Sequence, residues 1–180
     1  MDKETNQPLK NAPYDTQPAG LEKTLDGVFH LKAPFQLPAN VTKWLADNSW
    51  WIVLVGAALS VLGIFSLLSA VNTVNQVGVL YDAYGLGDAY GARSTNALYI
   101  SMLGSAISAV LLFMASSKLK GHQKAGWNLL YYNFLINAVV SLVGFALSSP
   151  VTLLGSLIGF VIGFGIGAYI LFQLRGHFTK

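Results

Sequence analysis

Pro150–Leu174 reads PVTLLGSLIGFVIGFGIGAYILFQL, a run of 25 residues with no charge. Gly155, Gly159, Gly163 and Gly167 recur every four residues. On a helix that spacing sets all four on one stripe, with Gly165 off it. In water each interior glycine would cost a helix about 1 kcal/mol relative to alanine. In lipid the same residues have a use. A glycine stripe strips one face of side chains, so a neighbouring backbone can approach and gain van der Waals contact. The stretch reads as a membrane-spanning helix whose bare face receives another helix, either the preceding span or a second copy of the chain.

Working outward, the chain of 180 residues is 53% hydrophobic and 11% charged. An average soluble domain carries roughly 25% charge. The apolar residues come in blocks and the charges lie between them, as in a membrane protein. Spans are expected at about residues 50–70, 97–117, 127–147 and 150–174, each near the roughly 20 residues that cross a hydrocarbon core. The expected fold is therefore all-α: a four-helix transmembrane bundle over 49–175, behind a polar tail at 1–48 and before a short C-terminal tail at 176–180.

The N-terminal segment holds five of the six prolines (Pro8, Pro13, Pro18, Pro34 and Pro38) and no long apolar run, so it does not resemble a secretory signal. Most of it is expected to be disordered or loosely draped, although residues 27–37 are apolar enough to lie on the membrane or on a partner. Val41, Trp44, Leu45 and Trp51 suggest a short interfacial turn before the first span.

Residues 72–96 read as a loop, too polar for mid-bilayer. They carry a short repeat, Asp82-Ala83-Tyr84-Gly85 and Asp88-Ala89-Tyr90-Gly91. An EF-hand needs more oxygen ligands and a terminal Glu, so no metal site is assigned; the glycines supply turns and the tyrosines suit headgroup depth. In the second span, Ser101, Ser105 and Ala109 form one series of four and Gly104 and Ser108 another. Gly121 is the expected cap behind Lys118 and Lys120. In the third span, Asn133, Asn137 and Ser141 are spaced by four, with Gly144 continuing the face. A buried amide in hydrocarbon must find a partner. The simple reading is hydrogen bonding between helices, and the alternative is a polar track for a neutral solute. Ser149 and Pro150 suit the N-cap and first position of the fourth helix, making spans three and four an antiparallel hairpin.

Lys and Arg set the orientation. Lys3, Lys10, Lys23, Lys32 and Lys43 precede the first span. Lys118, Lys120 and Lys124 lie between the second and third, and Arg175 and Lys180 follow the fourth. In a four-span chain all of these share one side, and only Arg93 lies on the other. Both termini are expected to be cytoplasmic. Trp44, Trp50, Trp51 and Trp127 fall at that border, and Tyr81, Tyr84, Tyr90 and Tyr99 near the opposite one.

No expected span contains Asp, Glu, Lys, Arg or His. Proton-coupled pumps and voltage sensors place such groups inside the membrane, and small multidrug transporters rely on an embedded Glu. His30, His122 and His177 lie outside the spans, unlike haem ligands, and the chain has no cysteine for disulfide or thiolate chemistry. No nucleophile–base pair is evident, so no catalytic residue, cofactor or enzyme activity is expected. The scattered basic residues do not form a nucleic-acid surface.

From Lys124-Ala125-Gly126-Trp127 through the glycine series to Ile170-Leu171-Phe172-Gln173-Leu174-Arg175, the chain resembles small bacterial integral membrane proteins of four spans. The resemblance implies that topology and a bacterial cell membrane, and no activity. The expected role is structural: an accessory subunit or self-associating bundle whose partners are the lipid bilayer and either further copies or other membrane subunits. The alternative is a neutral-solute facilitator lined by Asn133, Asn137 and Ser141. Because the chain has no native cysteine, single cysteines at Ala89 and Ala125 are expected to react with an impermeant maleimide from opposite sides. Labelling from the same side would overturn the four-span arrangement.

Overall fold

The structure is a computed structural model describing residues 20–31, 33, 36–85, 87–147 and 150–178. Every element among them is helical: α1 (Gly20–Asp26) running into a π turn (Gly27–Leu31), α2 (Ala39–Ala83), α3 (Gly87–Lys120), α4 (Lys124–Leu147), α5 (Pro150–Leu174) and a 3-10 turn (Arg175–His177). Four of these are long and apolar enough to cross a membrane, over Ala39–Val79, Thr95–Lys120, Lys124–Leu147 and Leu157–His177. Only 6% of the most apolar window of α2 is buried inside the protein. Most of the side chains that make α2 apolar therefore face outward, as suits a helix that could cross a membrane.

α2 starts behind Pro38, whose carbonyl accepts from the N–H groups of Val41 and Thr42 at 2.9 and 3.1 Å. The segment expected as an interfacial turn is thus the first part of α2 itself. At its other end α2 continues through the polar residues expected as loop. Polarity there marks the end of what hydrocarbon tolerates, but nothing before Tyr84 breaks a helix: there is no proline, and Gly78 alone is tolerated. Gly85 ends the run with a φ of +71°, the left-handed conformation that glycine adopts freely. The two copies of the Asp-Ala-Tyr-Gly repeat are thus unlike. The first closes α2, and the second lies within α3.

α2 and α3 pack along their length as an antiparallel pair, and α4 packs on α3. The α3–α4 turn is tight. His122 N–H donates to Leu119 O at 2.9 Å, and Gln123 N–H to Lys118 O at 3.1 Å. The left-handed residue is His122, with φ +51°, and not the expected Gly121. Histidine tolerates this region better than most residues. Its ring is held from outside, 3.4 Å from an Asp47 carboxylate oxygen and stacked on Phe178 with centroids 5.9 Å apart. Gly126 sits against the α3 backbone. A Cβ there would lie 2.8 Å from Leu119 N, so α4 leaves the turn in contact with α3.

α5 returns antiparallel to α4, spaced from it by aromatic rings: Phe145 on Phe160 with centroids 5.4 Å apart, and Phe134 on Phe164 at 4.4 Å. Ser149, the expected N-cap, lies outside the described residues.

The buried core gathers at one end of the helices. Ala46, Ala115, Leu119, Trp127, Phe172 and Phe178 are almost inaccessible there. Trp127 Nε1–H donates to Leu171 O at 2.9 Å, in the last turn of α5, where carbonyls run short of intrahelical donors. Trp127 and Tyr131 both meet Phe172 edge-on. The start of α2, the α3–α4 turn and the end of α5 converge here.

The N-terminal segment joins them. Residues expected to be draped instead form α1 and its π turn, and both pack on α5. Arg175, 6% exposed, lays its guanidinium 5.5 Å from the Trp127 ring centroid. Its Nη2 donates to Glu22 Oε1 at 2.9 Å, and Nη1 lies 3.7 Å from Asp26 Oδ2. Removing one partner of a fully buried ion pair costs roughly 3–5 kcal/mol, and less where a partner still touches water, as Glu22 does. Arg175→Gln is expected to release α1 at a cost of about 2 kcal/mol, raising trypsin cleavage after Lys23 by roughly thirtyfold in limited proteolysis. Unchanged cleavage would mean that α1 is held by something other than this pair.

Candidate functional site

Two faces carry the sequence-predicted residues, and the structure treats them differently. On α5, Gly155, Gly159 and Gly163 are exposed, and a Cβ built on any of them would meet nothing within 4 Å. Gly167, the fourth of the series, lies against α4, where its Cβ would sit 3.5 Å from Cε2 of Phe134. Ile158, Val161, Ile162 and Ile166 flank the open glycines and are more than half exposed. The preceding span thus covers only the last glycine of the four.

The face of α5 that does meet α4 is a second four-residue series, Phe160, Phe164, Ala168 and Phe172. It is displaced by one residue from the glycines and therefore by about 100° around the helix. Its rings meet Phe145, Trp127 and Tyr131 edge-on and Phe134 at a tilt, and Ala168 is fully buried. The signal was present as a spacing of four, but apolar rings at that spacing look the same whether they face lipid or protein.

On α4, Asn133 and Asn137 are brought together. Asn137 Nδ2 donates to Ser108 Oγ on α3 at 2.8 Å, and to Asn133 O and Asn133 Oδ1 at 2.8 and 3.2 Å. Ser108 is 4% exposed. One of these hydrogen bonds joins the polar face of α4 to α3, and the other two lie within α4. Ser141 continues that face and is half-buried.

Opposite this face lies a second close approach. A Cβ on Gly104 would fall 2.9 Å from Cγ2 of Val140, so α3 and α4 approach there as closely as glycine allows. The Gly104/Ser108 series of α3 receives Val140 and Asn137 of α4. The small-residue stripe that this chain uses internally is thus in the second span.

Among the described residues no group of three His, Cys, Asp or Glu could share a metal ion. The side chains of Asp82 and Asp88 lie outside that description. Comparison with protein-family models, with curated proteins and with solved structures gives no match. The likeness to small four-span proteins rests on the residues quoted for it.

Overpacking a close helix contact costs typically 1–3 kcal/mol, whereas one hydrogen bond between membrane helices averages about 0.6 kcal/mol. Gly104→Leu is therefore expected to lower unfolding stability in detergent by about 1–3 kcal/mol and Asn137→Ala by about 0.6 kcal/mol. Denaturant titration followed by circular dichroism checks the order. A larger loss from Asn137→Ala would make the polar pair, and not the close approach, the main tie between α3 and α4.

Proposed function

We propose that the chain is a small polytopic membrane protein that works by contact. It serves as an accessory or self-associating component whose α5 glycine face, Gly155, Gly159 and Gly163, accepts a helix from outside the chain. The supporting observation is that Gly155, Gly159 and Gly163 form a four-residue series on one exposed apolar face, with nothing within 4 Å of a Cβ built on any of them, whereas Gly104, Gly126 and Gly167 are met by Val140, Leu119 and Phe134. A Cβ on Gly63, Gly78 or Gly144 would likewise meet nothing, but these belong to no such series. A helix laid along the open glycines would gain backbone-level contact that lipid tails cannot match. The reading places both termini on the cytoplasmic side of a bacterial inner membrane. Ten of the eleven Lys and Arg residues lie within residues 1–43, 118–124 and 175–180, that is, before or at the start of α2, around the α3–α4 turn, and after α5. Contacts such as Asp47–His122 and Arg175–Glu22 link these same segments at one end of the helices.

The polar-track reading has less support, because the amide group of Asn137 already donates within the protein. No catalytic role is proposed.

Gly159→Leu and Gly163→Leu are expected to weaken association by about 1–3 kcal/mol, on the order of tenfold or more in Kd. Subunit counting by single-molecule photobleaching in liposomes measures this for self-association. Native mass spectrometry of protein extracted gently from its own membrane does so for a different partner. If both assemblies persist unchanged in both variants, the glycine face is not an association surface.

A further inference from the structure

α2 and α3 do not close on one another everywhere. Between Leu54, Ala58 and Val61 on α2 and Ala109, Val110 and Phe113 on α3 they leave an open groove of about 450 Å³ with no polar side chain in its lining. Among its lining residues Ala57 is buried and Ala109 half-buried, whereas Leu54, Val110 and Phe113 are exposed. From Leu54 to Val61 it runs about 10 Å along the helix axis, less than two turns. That is too short to seat a helix, itself about 10–12 Å across. It suits one flexible hydrocarbon chain. An apolar recess left empty forfeits the dispersion contacts of its walls, so in a bilayer it fills with acyl chain.

The groove has a marked end. Trp50 lies four residues before Leu54, and Lys120 seven after Phe113, so both continue the groove-facing stripes of their helices. There they meet: Lys120 Nζ sits 5.2 Å from the centroid of the Trp50 ring. Lys120 is exposed. Lys118, one turn beyond Met114, and Lys124, at the start of α4, add positive charge at the same depth. On α2 the nearby carboxylate, Asp47, faces His122 at 3.4 Å. An apolar slot ending at a tryptophan and a cluster of lysines matches a lipid whose chain fills the slot and whose phosphate group meets the ammonium at headgroup depth.

We propose that the α2–α3 groove binds one anionic phospholipid, its chain between Ala58 and Ala109 and its headgroup at Lys120. The proposal rests on the reading of the four apolar helices as membrane spans.

The test reconstitutes the full chain into vesicles of equal phosphatidylglycerol and phosphatidylcholine. Flotation confirms insertion, and native mass spectrometry then counts retained lipid. One phosphatidylglycerol is expected to be retained in preference to phosphatidylcholine. Lys120→Gln is expected to reduce that preference by about fivefold, the worth of one lysine at an anionic surface. Ala58→Leu, which fills the groove, should remove retained lipid of both kinds. Lys120→Gln changes only an exposed side chain, so it remains informative even if Ala58→Leu fails to fold. Equal retention of the two lipids, or a preference unchanged in Lys120→Gln, overturns the site while leaving the membrane reading intact. Failure of the chain to float with vesicles overturns both.

Discussion

Helices whose apolar side chains face outward leave a chain with little hydrophobic drive to fold against itself, and that constraint orders the rest of this structure. In lipid the surroundings are as apolar as the helices, so association must come from contacts that lipid cannot imitate. Several contacts along the helices are of that kind. Gly104 lets Val140 approach to backbone distance. Asn137 finds Ser108. The rings of Phe134, Phe145, Phe160 and Phe164 hold α4 and α5 through edge and face contacts whose geometry lipid tails do not reproduce.

Among the described residues the cluster of buried apolar side chains gathers at one end of the helices; on the membrane reading that end meets water, which again drives apolar surfaces together. Trp127 and Phe172 centre the cluster, and beside them the indole N–H meets Leu171 O and the Arg175 guanidinium meets Glu22 and Asp26. This end also gathers the α3–α4 turn, the start of α2, α1 and the last turn of α5. The two chemistries divide the molecule along its axis, with close approach within the spans and burial at the end.

How much of this could be read from sequence follows the same division. The four spans were legible because a long apolar run has few other uses. The limits of the helices were less so. Asn72, Asn75 and Gln76 mark where hydrocarbon ends, and sequence polarity says nothing of whether a helix continues in water. The glycine series of α5 was legible as a stripe, but which stripe a chain fills itself depends on how helices pair. The quieter Gly104/Ser108 series turned out to be the internal one. The Arg175 pairing with Glu22 could not be seen, since no local spacing connects residues so far apart. Its only trace was an acidic helical turn in a segment that otherwise reads as tail.

The continuity of α2 has a mechanical consequence. The helix runs from Ala39 to Ala83 without a break and packs on α3, so the residues beyond 70 continue it stiffly for about 20 Å. On the proposed membrane reading, such a pair would act as a lever with its fulcrum in the bilayer. A tilt of about 20°, ordinary for membrane helices meeting a bilayer of different thickness, carries the tip sideways by roughly 7 Å. Bilayer thickness would thereby be converted into the position of the turn at Tyr84 and Gly85, with no hinge in between to absorb the motion.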